Sequence, residues 1–124
     1  MLVDEQLTER IIGLAIDVHR HTGRGLLESV YEQCLCYELH LADIPFERQV
    51  GVAVIYKGIP LDEGFRADIV VDRKVILEVK AVANLLPAHE AQLQTYLRMS
   101  RIPIGLIFNF NAPRLIDGLR RFIV

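Results

Sequence analysis

Between Arg66 and Lys80 the sequence reads Arg-Ala-Asp-Ile-Val-Val-Asp-Arg-Lys-Val-Ile-Leu-Glu-Val-Lys, two runs rich in branched residues around a short charged interruption. Branched side chains suit a pleated, half-buried surface, and a brief polar break between two such runs marks a turn. The stretch therefore predicts an antiparallel hairpin turning on Arg73, with Asp72 and Lys74 beside it. In that register Asp68 stands opposite Glu78, and Arg66 opposite Lys80. Side chains alternate between faces along each strand. One face then carries Ala67, Ile69, Val71, Val75, Leu77 and Val79, which is wholly apolar and must be core. The other carries Arg66, Asp68, Val70, Ile76, Glu78 and Lys80, apolar near the turn and charged at the open end.

Two carboxylates facing each other across a ladder repel and destabilise the pair. A divalent cation between Asp68 and Glu78 removes that cost. Mg²⁺ in particular favours one or two carboxylates completed by waters and substrate phosphate oxygens. Lys80, two residues beyond Glu78 on the same face, can orient a water or stabilise charge developing on a phosphate. The competing reading is a solvated face on which diagonal pairs Arg66–Glu78 and Asp68–Lys80 cancel charge, each worth about 0–1 kcal/mol when exposed. Spacing alone leaves both readings open.

The rest of the chain supplies a frame for this hairpin. With 124 residues, 52% of them hydrophobic, the sequence fits one domain spanning 1–124 with one core. A first helix is expected from Glu5 to His21, with Leu7, Ile11, Leu14, Ala15 and Val18 on one stripe. A second is expected from Leu27 to Ala42, with Leu27, Val30, Tyr31, Cys34, Tyr37 and Leu41 facing inward. After Asp43-Ile-Pro45 the apolar period drops to two, and strands are expected over Phe46–Tyr56, Gly64–Val71 and Val75–Ala83, with a turn at Lys57-Gly58. Pro87 opens a helix through Ser100, proline being suited to a first helical turn. A buried strand over Ile102–Phe110 and a last segment, Leu115–Val124, complete the order α-α-β-β-β-α-β-β. That order predicts an α/β (α+β) domain with a mixed central sheet flanked by helices.

Several classes of protein are excluded or disfavoured. No apolar run approaches the roughly 18 residues that a membrane span needs. The opening Met1-Leu-Val-Asp-Glu-Gln6 turns acidic at once and lacks the basic and apolar regions of a leader, so a cytoplasmic location is expected. Cys34 and Cys36, two apart on a helix, point to different faces and read as small buried apolar groups. His19, His21, His40 and His89 show no zinc spacing. The formal charge of −2 means that a nucleic-acid partner would have to meet a local basic stripe. Arg66, Arg73 and Lys74, then Arg98 and Arg101, then Arg114, Arg120 and Arg121 are the candidates.

A set of further motifs is distributed over the same frame. Gly25-Leu-Leu-Glu28-Ser-Val-Tyr31 is followed by Glu47-Arg-Gln49, Tyr56-Lys-Gly58, Asp68, Glu78-Val-Lys80, Gln92-Leu-Gln-Thr-Tyr96 and Gly105-Leu-Ile-Phe-Asn-Phe110. Taken together they resemble the small bacterial and archaeal GxxExxY family, within the PD-(D/E)XK nuclease superfamily, over nearly the whole chain. The resemblance implies a restriction-endonuclease-like αβββαβ core and metal-dependent cleavage of phosphodiesters. It implies Asp68 and Glu78 as ligands of Mg²⁺ (or Mn²⁺), Lys80 as the water-orienting residue, Glu28 as an accessory acid, and Gln92 and Tyr96 as supporting residues. Ala67 stands where the superfamily's name has proline; in the hairpin above that position faces the core, away from the metal.

Each accessory residue also has a purely structural reading. Glu28 lies in a first helical turn, where a carboxylate is favoured by the helix dipole. Tyr31 can reach Glu28 or simply pack. Gln92 and Tyr96 share a stripe with Ala88 and Met99, and a glutamine there needs a polar partner, which the acidic cluster would supply. Two functions are therefore expected to compete. One is a metal-dependent nuclease acting on DNA or RNA, DNA more than RNA. The other is a non-catalytic interaction module of the same fold that binds protein or nucleic acid. A homodimer through the apolar Phe122-Ile-Val124 suits either.

Overall fold

The computed structural model describes residues 4–124, the side chains of residues 62 and 63 excepted. The opening three residues, on which the leader expectation partly rests, lie outside the described residues. Helices α1 (Glu5–Thr22) and α2 (Glu28–Leu41) precede strands β1 (Phe46–Tyr56), β2 (Ile59–Val71) and β3 (Val75–Lys80). Helix α3 (Pro87–Ser100), β4 (Ile104–Asn109), a short 3₁₀ turn (Leu115–Gly118) and β5 (Leu119–Ile123) follow. The five strands form one sheet in the order β1-β2-β3-β4-β5. Only β3 and β4 run parallel, joined through α3; the other neighbours are antiparallel. This is the mixed sheet with flanking helices expected from the sequence. Among the described residues no helix is long and apolar enough to cross a membrane.

Two cores separate the layers. On one side α1 and α2 bury Ile11, Ala15, Val18, Tyr31, Leu35 and Leu39 against Ile69, Val71, Leu77, Val79, Leu106 and Phe108. On the other, α3 lays Leu93, Tyr96 and Leu97 on Val52, Ala67, Val70, Ile76 and Ile107. The apolar end of the hairpin's second face is thus covered by a helix. β3 is buried at every position from Val75 to Val79, as expected of a strand covered on both faces.

The structure corrects several sequence-based boundaries and faces. β2 begins at Ile59 rather than Gly64, because Lys57 and Gly58 take φ of 49° and 80° and make a tight two-residue turn that lets Ile59 pair at once with Tyr56. Gly64 also fits within the strand, where an added Cβ would collide with Val52 O. β3 ends at Lys80 rather than Ala83, since Glu28 and the Asn109 side chain take the next main-chain groups out of the ladder. β4 is shorter at each end than expected, and the last segment is a 3₁₀ turn followed by a strand.

α2 is rotated from its expected face. Tyr31, Glu32, Leu35, Cys36 and Leu39 are buried, while Leu27, Tyr37 and Leu41 are 73%, 61% and 58% exposed. The rotation turns a carboxylate inward, and it is accommodated because Glu32 is fully engaged. Arg48 Nη2 and Nε lie 2.7 and 2.8 Å from Glu32 Oε2, and Gln49 Nε2 donates to Oε1 at 2.9 Å. The two cysteines are free, Cys36 buried and Cys34 half-buried. Burial pushes the Cys36 thiol up to about 11, so it stays protonated at neutral pH.

Candidate active site

The hairpin turns where expected. Asp72 and Arg73 take left-handed φ of 49° and 54°, and Lys74 N–H closes the turn on Val71 O at 2.9 Å. Val71, Val70 and Ile69 pair with Val75, Ile76 and Leu77, the register that sets Asp68 toward Glu78. There the ladder stops. In place of a further main-chain rung, Asp68 Oδ2 accepts the Val79 N–H at 2.8 Å. β2 then leaves β3 and continues with β1 alone, Ala67 pairing with Val50 and Arg66 with Gly51.

The fork has a local cause on β1. Gln49 has φ of 51°, and neither Gln49 nor Asp68 belongs to the β1–β2 ladder at that point. Arg66 Nη1 donates to Gln49 O at 2.7 Å, while Glu32 holds the Gln49 amide from the helix side. The expected opposition of Arg66 and Lys80 is therefore absent, because Arg66 turns to β1. Ala67 is fully buried as expected but packs in the α3 core rather than beside Ile69 and Val71. The expectation that Ala67 faces away from the acid pair, which rested on its sharing a face with Ile69 and Val71, is therefore not upheld: Ala67 lies in the same core as Tyr96.

At the fork two carboxyls meet. Glu78 is only 4% exposed, and its Oε1 has no hydrogen-bond partner among the described residues. Burial first, then the neighbouring Asp68 carboxylate, push the Glu78 acid up to about 9; the Lys80 ammonium acts in the opposite direction. At neutral pH without a cation the pair thus retains a proton. Tyr96 is buried against Phe65, ring centroids 4.8 Å apart. Burial and the charges of Glu78 and Asp68 push its hydroxyl up to about 12, so α3 presents a neutral phenol to the acids. Gln92, one turn earlier, is half-buried and makes no hydrogen bond to either carboxyl among the described residues, contrary to the expected reach into the cluster.

The opposite helix layer reaches the end of β3. Glu28 is exposed at the first turn of α2, and its Oε2 accepts the Ala81 N–H at 3.1 Å. Tyr31 does not serve Glu28. Its hydroxyl donates to Gly23 O at 2.6 Å and accepts from Leu26 N–H at 3.1 Å, and its ring stacks on Phe110 at 4.5 Å. It therefore clamps the loop that leads into Glu28. Lys80 pairs across the parallel rung with Asn109, a buried residue not singled out from the sequence. Asn109 binds both main-chain groups of Val82, its Oδ1 accepting at 3.0 Å and its Nδ2 donating at 2.9 Å. Glu32 was also missed; its signal was a carboxylate one turn after Glu28 with Arg48-Gln49 to follow.

The chemistry of this donor set suits a hard divalent ion. An orphaned buried carboxylate oxygen sits beside a second carboxyl, and both are oxygen donors. No cluster of three or more His, Cys, Asp or Glu side chains is gathered for a metal among the described residues. The remaining ligands of an ion here would be waters, main-chain carbonyls or substrate oxygens, the complement Mg²⁺ prefers. The expected basic stripe is not continuous: Arg73 faces Glu47 at 3.8 Å, Lys74 lies between Asp4 and Asp72, and Arg114 is held by Asp117 at 3.1 Å.

Comparison with known proteins agrees with the fold. Residues 5–122 match a family model described as the PD-(D/E)XK nuclease superfamily. No curated protein and no solved structure matches the chain.

Proposed function

Since the chain belongs to the PD-(D/E)XK nuclease superfamily, we propose that it is a metal-dependent phosphodiesterase acting on nucleic acid, DNA in preference to RNA. Within the superfamily we assign it to the GxxExxY group on Gly25, Glu28 and Tyr31 and the motifs that follow them. The observation that carries the reading is the buried, unpartnered Oε1 of Glu78 beside Asp68. A carboxylate in that position is costly unless a positive charge completes it.

In this reading Asp68 and Glu78 hold Mg²⁺ or Mn²⁺. When bound, the ion supplies positive charge to the scissile phosphate and makes a water more acidic. Lys80 orients the attacking water and offsets charge on the phosphate as the new P–O bond forms and the leaving oxygen departs. Glu28, tied to the main chain just past Lys80, fixes the end of β3 and stands as an accessory acid. Tyr96 stays protonated and excludes water from the α3 side of the pair. Gln92 keeps a supporting place on the same helix, one turn away.

The test is cleavage of single-stranded, double-stranded and branched substrates by purified protein with Mg²⁺ or Mn²⁺. Glu78→Gln is expected to lower turnover by at least about 100-fold, in line with the loss of a key electrostatic group. Absence of cleavage on all substrates with both metals sinks the proposal.

The non-catalytic module draws on a different observation, the exposed apolar tip of the β1–β2 ribbon formed by Ile55, Tyr56, Ile59 and Leu61. A patch of this kind suits a protein partner. Under that reading partner binding survives Glu78→Gln, and millimolar Mg²⁺ leaves the melting temperature unchanged.

A further inference from the structure

We propose that a second pocket, one strand away from the acid pair, binds a non-scissile phosphate of the nucleic acid strand, a proposal that rests on the nuclease reading. The pocket has a volume of about 220 Å³ and is framed by Arg24, Asn84, Asn111, Asp117 and Arg120. Four separate parts of the chain build it. Arg24 comes from the loop before α2, Asn84 from the β3–α3 connection, Asn111 from the turn after β4, and Arg120 from β5.

Its charge is the first argument. Asp117 is the acidic residue lining it, and that carboxylate is already taken by Arg114, with Nε and Nη2 both at 3.1 Å. Arg24 has no acidic partner within ion-pair distance among the described residues. Arg120 Nη1 donates only to main-chain oxygens, those of Leu119 at 3.0 Å and Asp117 at 3.4 Å. Two guanidinium groups therefore face the pocket without a carboxylate to neutralise them, beside the amides of Asn84 and Asn111. Guanidinium forks and amide N–H groups match the oxygens of a phosphodiester.

Position is the second argument. Asn109 pairs with Lys80 across adjacent strands and also lines the pocket, so the pocket borders the strand next to the residue assigned to the attacking water. Phosphates follow each other along a strand at a rise of roughly 3.4 Å. A nucleic acid strand crossing the carboxyl ends of β3 and β4 would bring a neighbouring phosphate here while another lies over Asp68 and Glu78. The wall is also fixed: a Cβ at Gly118 would run into Asn109 O, so the 3₁₀ turn packs directly on Asn109. Asn109 in turn holds Val82 through both its amide atoms.

The experiment measures affinity against salt. Labelled single- and double-stranded oligonucleotides are titrated with the full chain carrying Glu78→Gln, so that binding is read without cleavage. The same titration is run with Arg24→Ala and Arg120→Ala added together, and separately with Arg10→Ala, which removes one charge at a site that donates to Ala42 O. Losing one phosphate contact makes the plot of log affinity against log salt shallower by about 0.7 for a single strand or 0.9 for a duplex. Between 50 and 200 mM salt the double variant should therefore lose about threefold less affinity than its parent. An unchanged slope, an equal effect of Arg10→Ala, or no binding by the parent overturns the anchor. Failure of the wild type to cleave with either metal, while the slope difference persists, removes the catalytic reading and leaves the anchor standing.

Discussion

Replacing Glu78 with glutamine tests the central electrostatic argument without any substrate. In the folded chain the acid is pushed up to about 9 from an ordinary value of 4.5, chiefly by burial and by Asp68. Below pH 4.5 the folded and unfolded chains both hold this proton, and the substitution changes little. As pH rises from there toward 9, the unfolded chain releases the proton and the folded chain keeps it. Stability then falls with pH, by about 1.4 kcal/mol for each pH unit, and the fall is complete above the folded value. At pH 7 the wild type carries a penalty of about 3 kcal/mol, which an uncharged glutamine of the same shape does not. For a chain of this size that corresponds to about 10 °C in melting temperature. Urea or thermal unfolding in EDTA at pH 5, 7 and 9 reads it directly: the two proteins should nearly coincide at pH 5, with Glu78→Gln progressively more stable above. Adding Mg²⁺ at ten times its dissociation constant should stabilise the wild type by about 1.4 kcal/mol and leave the glutamine variant unmoved. Parallel stability curves for the two proteins from pH 5 to 9 would refute the claim that Glu78 is buried without compensation.

Two other substitutions probe the scaffold around the pair. Arg48→Ala strands the buried Glu32 carboxylate and is expected to cost about 3 kcal/mol in urea unfolding, the low end for such losses because Arg48 is 40% exposed. Tyr31→Phe removes the hydroxyl that joins Gly23 O and Leu26 N–H while keeping the stack on Phe110. It should cost about 1–2 kcal/mol and speed hydrogen exchange at the Leu26 amide.

Much of this arrangement was legible because it follows from short-range pattern. Alternation and branching place β1 at Phe46–Tyr56, and Pro87 starts α3 where it stands. The charged break at Asp72-Arg-Lys74 was enough to set the hairpin register and so bring Asp68 toward Glu78. The face of α2 was not legible in the same way. Periodicity treats Glu32 as a surface residue, and only the fold brings Arg48 and Gln49 to it from β1. Likewise nothing in an alternating strand announces that Gln49 adopts a left-handed backbone or that Asp68 replaces a ladder rung with its own side chain. Such features arise from contacts between distant segments, which composition and spacing do not encode. The position of Gln92 shows the converse limit: a polar residue on an apolar stripe suggested a partner in the cluster, yet half exposure already provides it with solvent.

The parting of β2 from β3 gives Asp68 and Glu78 different supports. Asp68 rides at the base of the departing strand, whereas Glu78 belongs to a strand gripped on both sides by β2 and β4. The Asp68 carboxylate bridges the two supports, since it accepts the Val79 N–H at 2.8 Å. Phe65, set edge-on to Tyr96, braces the departing ribbon against α3. The spacing of the two carboxyls is therefore set by a side-chain-to-main-chain bond rather than by a continuous ladder of strand pairs.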